Sequence, residues 1–263
     1  MDPQTSSSGY RDRNSTADRA LTILDMFTET KLSVSALEVA TALSVARSTA
    51  YRYLESLVSR GFIEESPTGG FRLGLRILEL AHLARQGFGL SDIALPIMRQ
   101  LCDQVGQTVL LTRRAGTAAV CLEREVPLGQ LLRISYERGS QLPLTAGASA
   151  LVLLAWLDDA EARALFESIQ RPRFTDKTLT TTDELIERLH QIREVGYCMT
   201  HAEVDTDALG MAAPIFDGEG RVTAGLSIVA LGSRVNQIER LKIIRALRMS
   251  AEKISSKLQI AAG

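Results

Sequence analysis

The sequence predicts an α+β protein in two parts: a winged helix-turn-helix, then an apolar helix leading into a larger mixed α/β region. Three observations predict it. Apolar residues recur at helical spacing three times before Gly61, and a short Gly-rich hairpin pattern follows at once. The stretch "LRILELAHLARQ" is helical and apolar around most of its circumference, so something must cover it. Beyond the "GFG" break, strand-like runs mix with helical patches to the C-terminus.

The first helix is expected to start after Thr16 as N-cap and to carry Ala20, Leu21, Leu24 and Phe27 on its inner face. A second begins after Ser33 or Ser35, with Leu37, Ala40 and Leu43 inward. The turn "SVA" leads into a third, on which Ala50, Tyr53, Leu54, Leu57 and Val58 share one arc. Ser48, Tyr51, Arg52, Glu55, Ser56 and Ser59 share the other. Gly61 suits the left-handed position that ends a helix. "FIEE", "SPTGG" and "FRLG" then read as strand, turn and strand, which completes the winged helix.

The second region opens with a helix near Ser91–Val105. Strands are expected at "TVLLTRR", "AAVCLERE" and "LLRISY", followed by "QLPLTAGASALVLLAWL" and helices near Ala160–Ser168 and Asp183–Arg193. Further strands fall at "YCMTHAEV", "GMAAPIFD" and "RVTAGLSIVAL", the last two joined by a "DGEG" hairpin turn. A long amphipathic helix with Ile238, Leu241, Ile244 and Leu247 inward closes the chain.

The totals bound the function. The chain has 263 residues, 45% hydrophobic and 23% charged, with a formal net charge of −1, so any surface basic enough for nucleic acid must be local. Its 3 cysteines, Cys102, Cys121 and Cys198, form neither a disulfide framework nor a metal spacing. The polar N-terminal stretch has no signal-peptide core and is expected to be disordered, and "ALVLLAWL" is too short to span a bilayer. The expected location is the cytoplasm, with no membrane association.

Four stretches in order resemble the IclR-type bacterial transcriptional regulators: "ADRALTILDMF"; Ser48, Thr49, Arg52, Leu54, Leu57 and Gly61; "FRLGLRILELA"; and "GYCMTHAEVDTDALGMAAPIFDGEGRVTAGLSI". The last carries Glu203, Gly210, Ala212, Ala213, Pro214, Asp217, Gly220 and Ser227 at family positions. Two departures stand out: a family Gly-Lys pair is Ala150-Leu151 here, and a common Cys is replaced by Gly210-Met211.

The resemblance implies a tail at 1–14, a DNA-binding winged helix-turn-helix at 15–74, a linker and dimerisation helix at 75–90, and a GAF-like α/β effector-binding domain at 91–263. Expected partners are pseudo-palindromic double-stranded operator DNA, a small-molecule effector such as an organic or aromatic acid of catabolism, and further copies of the chain as a homodimer or dimer of dimers. A repressor role is expected, with no cofactor.

Arg47 and Arg52 stand where a recognition helix enters a major groove, and arginine there bonds guanine or phosphate. Ser48, Thr49 and Tyr51 add donors, and the wing with Arg72 is either a minor-groove contact or a plain hairpin turn. Glu55, Glu64 and Glu65 oppose indiscriminate binding. In the second region, free N–H groups of the run Thr145–Ser149 suit an anion. Leu144, Ala148, Ser149, Glu203, Gly210 and Ser227 form the expected effector site, mainly by family position.

His201, Glu203, Asp205 and Asp207 alternate, so on a strand they would share a face, as metal ligands or as a solvated acidic segment; none is assigned to a metal. His82 and His190 read as surface residues without partners. The rival reading is an enzyme with Cys198 and His201 as nucleophile and base, but their i, i+3 spacing on a strand sets them on opposite faces, and no nucleophile elbow, phosphate loop or dinucleotide fingerprint appears.

Overall fold

The computed structural model describes residues 16–28, 30–127 and 136–262, so the expected tail and the expected strand "LLRISY", apart from Tyr136, lie outside the described residues. The chain divides into two compact units, Met1–Gly87 and Phe88–Gly263.

The first unit contains α1 (Thr16–Asp25), α2 (Ala36–Ala42), α3 (Arg47–Ser59), β1 (Ile63–Glu65), β2 (Phe71–Leu73) and α4 (Leu75–Phe88). α1 includes Thr16 rather than starting after it, and its fully buried residue is Ile23, while Leu21 is 58% exposed. Ser35 is the N-cap of α2 and forms a reciprocal capping box with Glu38. On α2 the chain buries Ala36, Val39 and Ala40 and leaves Leu37 63% exposed. The remaining expected residues, Ala20, Leu24, Phe27, Ala40 and Leu43, do pack in the core, so only the edge of each apolar stripe differs, where the packing partners decide. α3 buries Ala50, Leu54 and Leu57 and ends, as expected, at Gly61 with φ 73°.

β1 and β2 pair antiparallel, with Glu64 opposite Arg72. Val34 adds a third strand position: its N–H donates to Phe71 O at 2.9 Å and its carbonyl accepts from Phe71 N at 2.8 Å. Gly70 makes this approach possible, because it holds φ +77° and a Cβ there would lie 2.7 Å from Val34 O.

The second unit contains α5 (Leu90–Val105), β3 (Thr108–Ala115), β4 (Ala118–Glu125), β5 (Gln141–Pro143), α6 (Ala148–Leu151), α7 (Asp159–Ser168), α8 (Thr182–Val195), β6 (Cys198–His201), β7 (Ala208–Phe216), β8 (Val222–Leu231) and α9 (Gln237–Ala262). The described strands form one antiparallel sheet in the order β5-β4-β3-β8-β7-β6. Period-two alternation divides each central strand between two cores. Val109, Leu111, Met211, Ala213, Leu226 and Ile228 pack with α5 and α9. Leu110, Ala212 and Val229 pack with α6, α7 and α8 on the other face. The result is an α/β/α sandwich, and the "DGEG" turn closes as expected, with Asp217 Oδ1 accepting from the N–H groups of Glu219 and Arg221, each at 2.9 Å.

α9 departs from the expected face. Ile244 and Leu247 are buried, but Ile238 and Leu241 are 67% and 64% exposed, and Ile243, Ala251 and Ile254 complete the inner side. No helix of the described residues is long and apolar enough to cross a membrane.

The two wing glycines provide a test. Gly69, at φ +94° with nothing near its missing Cβ, should lose only about 1–2 kcal/mol on substitution by Ala. Gly70→Ala should lose a further ~1–3 kcal/mol, because it also disrupts the two Val34–Phe71 hydrogen bonds. Hydrogen exchange at the Val34 and Phe71 amides should accelerate in Gly70→Ala and stay protected in Gly69→Ala.

Candidate functional sites

The turn between α2 and α3 places Ser44 at φ 53°, and α3 starts at N-cap Ala46 without a side-chain cap. Arg47, Ser48, Tyr51, Arg52 and Glu55 are exposed on α3, and Thr49 is half-buried. The Arg47 guanidinium carbon lies 5.7 Å from the Tyr51 ring centroid, a cation–π contact that holds both side chains together. Among the described residues, neither Arg47 nor Arg52 has a carboxylate within ion-pair distance, so both charges are uncompensated.

Arg72 differs. Its Nε donates to Glu64 Oε1 at 2.7 Å and its second nitrogen lies 2.6 Å from the same oxygen. The exposed pair adds little stability, but it cancels the wing's expected cation. Glu64 is the partner the sequence reading missed. The hairpin register places it opposite Arg72, so counting back from the turn finds it.

In the second unit the expected effector residues do converge, on the face of the sheet covered by α6–α8. Ser149 on α6 donates from Oγ to Ser227 Oγ on β8 at 2.7 Å. Thr112 Oγ1 donates to Ser149 O at 3.0 Å. Leu144 and Ala148 are buried beside them. Gly210 is required by space: a Cβ there would lie 2.9 Å from Thr200 Oγ1 and 3.2 Å from Ala148 Cβ.

Two of the N–H groups expected to be free at Thr145–Ser149 are occupied. Gly147 N–H donates to Glu203 Oε2 at 3.3 Å and Ala148 N–H to Thr200 Oγ1 at 3.2 Å. Glu203 is 5% exposed, and Arg188 on α8 donates to its other oxygen at 2.8 Å. Thr178 Oγ1 donates to the Glu203 carbonyl at 2.6 Å. Neither Arg188 nor Thr200 carried a sequence signal, since each meets its partner only through the tertiary fold. Thr145 Oγ1 is buried without a hydrogen-bond partner among the described residues. Tyr136 packs against the same apolar cluster, and burial pushes its phenol up to about 12, so it remains a neutral hydroxyl at neutral pH.

The other readings disperse. β6 ends at His201, Ala202 turns with φ 58°, and the alternating face of His201, Glu203, Asp205 and Asp207 is not formed. Asp207 instead accepts from Ser233 N at 2.9 Å. Among the described residues no group of three or more His, Cys, Asp or Glu is placed to hold a metal. β6 alternates buried and exposed, so Cys198 points inward and His201 outward. Burial pushes the Cys198 thiol well above its ordinary range, the opposite of an activated nucleophile. His190 has a partner after all: its Nε2 lies 2.6 Å from Asp159 Oδ2.

Comparison with known proteins agrees with this geometry. Residues 16–67 match the IclR helix-turn-helix domain, and residues 82–256 match the bacterial transcriptional regulator IclR C-terminal domain. The chain belongs to the IclR family. It is 32% identical to the HTH-type transcriptional regulator XynR of Escherichia coli across 92% of this chain and 96% of XynR. It is 27% identical to the DNA-binding transcriptional repressor YiaJ of the same organism, over 81% of this chain and 76% of that one. Among solved structures, an IclR homologue of Microbacterium hydrocarbonoxydans complexed with 4-hydroxybenzoate superposes with a TM-score of 0.80 at 26% identity, covering 94% of this chain and 100% of that one. As an IclR-family member the protein is a helix-turn-helix transcriptional regulator with an IclR C-terminal domain.

The buried ion pair in that domain has a measurable consequence. Arg188→Ala strands the Glu203 carboxylate and should destabilise the second unit by about 3–5 kcal/mol. Urea unfolding followed by the single tryptophan, Trp156, reports it. Glu203→Gln, which keeps an acceptor for Gly147 N–H, should cost clearly less.

Proposed function

We propose that the protein is a cytoplasmic, homodimeric repressor that reads operator DNA through α3 and releases it when a small organic acid binds the second unit. The observation that carries this reading is the exposed face of α3, where Arg47 and Arg52 stand uncompensated beside Ser48 and Tyr51 on a chain whose net charge is −1. A local cationic face directly after a helix-turn is what sequence-selective docking in the major groove needs.

In this reading residues 15–74 bind DNA, 75–90 link and dimerise, and 91–263 sense the effector. Dimerisation is supported by α4, whose Leu75, Leu78 and Leu83 are 69%, 64% and 54% exposed. A two-fold related copy buries them and doubles the reading head onto a pseudo-palindromic site. Assembly into a dimer of dimers is compatible with the same contacts. The repressor assignment draws on YiaJ, and the acid effector on the 4-hydroxybenzoate complex of the Microbacterium homologue.

Leu144, Ala148, Ser149, Gly210, Glu203 and Ser227 frame the effector site in this proposal. Ser149 and Ser227 satisfy each other, and Glu203 is satisfied by Arg188 and Gly147, so these residues shape the site. The buried Thr145 hydroxyl is the group left to meet a ligand. Effector binding then shifts the spacing of the two α3 helices through the linker, with a coupling of about 1–3 kcal/mol.

Two outcomes test the division of labour. In a salt titration on the DNA upstream of the gene, against scrambled DNA, Arg52→Ala should lose at least about tenfold in operator affinity. Arg72→Ala should lose far less, because Glu64 already holds that charge. Equal losses for both would refute the assignment of α3 over the wing. In a screen of small carboxylic acids for operator release, Thr145→Val should bind DNA normally and respond at least about tenfold more weakly to the acid that releases the wild type.

A further inference from the structure

A carboxylate stands where the DNA-reading assignment alone predicts only cations and hydroxyls. Placed at about 100° per residue, Ala50, Leu54 and Leu57, the buried side of α3, lie opposite Ser48, Arg52 and Glu55. Arg47 and Tyr51 lie to one flank and are bound to each other. The outward face therefore centres on Ser48, Arg52 and Ser59, with Glu55 between them and the Tyr51 flank, and Glu55 is exposed with no ion-pair partner among the described residues.

An uncompensated carboxylate facing phosphates is repelled, so on a DNA-reading face it weakens binding unless a base edge offers it a donor. The major groove offers a carboxylate two amino donors, adenine N6 and cytosine N4; adenine sets its N7 acceptor beside N6, which repels the second carboxylate oxygen, so cytosine N4 is the better match. We propose that Glu55 is a specificity-determining residue that reads a cytosine, next to a guanine read by Arg52. This rests on α3 being the reading helix. Three residues along a helix advance about 4.5 Å, and base pairs rise about 3.4 Å. The two bases therefore fall within about two base pairs of each other in each half-site. The same carboxylate penalises any sequence that offers only acceptors there, which suits a chain without excess positive charge.

Binding-site selection from a random-sequence DNA pool, using the full-length protein, tests this. The variants are Glu55→Ala, Glu55→Gln and Arg52→Ala. Wild type should select a C·G pair at one column of each half-site within two positions of the guanine column. Glu55→Ala should make that one column uniform. Glu55→Gln should move it toward adenine, whose N6 and N7 a glutamine amide matches. Arg52→Ala should erase the guanine column and leave the cytosine column.

Tighter binding of Glu55→Ala to all sequences, with every column unchanged, would overturn the proposal and make Glu55 a general repulsive charge. Loss of the guanine column in Glu55→Ala would also overturn it, making Glu55 a positioning partner of Arg52. If Arg52→Ala selects the same sites as wild type, the reading of α3 itself fails, and the proposal with it.

Discussion

A carboxylate taken out of water must find positive charge and hydrogen-bond donors, and the second unit is arranged around one such group. Glu203 sits just past the end of β6 and is nearly inaccessible. It collects Arg188 from α8 and the N–H of Gly147 from the turn before α6. Thr178, before α8, fastens the backbone of Glu203 through its carbonyl. One buried charge thus fixes the turn before α6, a strand end and a helix relative to one another. On that frame the Ser149–Ser227 and Ala148–Thr200 contacts close, and Gly210 is held to a residue without a side chain. Thr145 lies two residues before Gly147, so the same frame fixes the turn that carries its buried hydroxyl.

The parts of this fold legible in the sequence are those decided locally. Ser35 with Glu38, Gly61 after α3, and the turn after Asp217 are each fixed by contacts within four residues, and a single chain displays them. The inner faces of helices were less legible. Leu21, Leu37, Ile238 and Leu241 fit a helical stripe yet face outward, because periodicity gives the width of an apolar face but not the direction of its partner. The effector cluster was legible in part: Ser149 and Ser227 were found at family positions, whereas Arg188 and Thr200 were not. Residue type alone does not say that an arginine on a charged helix turns inward to a carboxylate fifteen residues later.

The anion-binding reading of the run Thr145–Ser149 shows how a correct element can carry an altered consequence. The turn does offer backbone N–H groups, but the protein supplies their acceptors itself, one from Glu203 and one from Thr200. An acid effector, as proposed, would meet a site whose cation Arg188 is already paired with Glu203. On the proposed reading, recognition falls to neutral hydroxyls such as Thr145, while Tyr136 packs as a neutral phenol against the apolar cluster of the same unit. Selectivity in such a site comes from shape and from hydrogen bonds left unmade by the wrong ligand, more than from net charge.

The first unit follows a parallel logic with opposite emphasis. Two carboxylates restrain its cations: Glu64 pairs with Arg72 on the wing, and Glu55 is exposed on α3 beside the residues proposed to read DNA. Sequence-independent attraction to phosphate is thereby kept low, since that attraction grows with every neutralising Lys or Arg. A single copy with so few uncompensated contacts holds DNA weakly. In the proposed dimer, pairing two copies converts the second contact into an intramolecular event and raises affinity without new contacts. A dimer whose halves each bind weakly is also the arrangement most easily switched. On that proposal, a change in spacing that spoils one half-site removes the advantage of pairing, so a coupling of a few kcal/mol would be enough to release the operator.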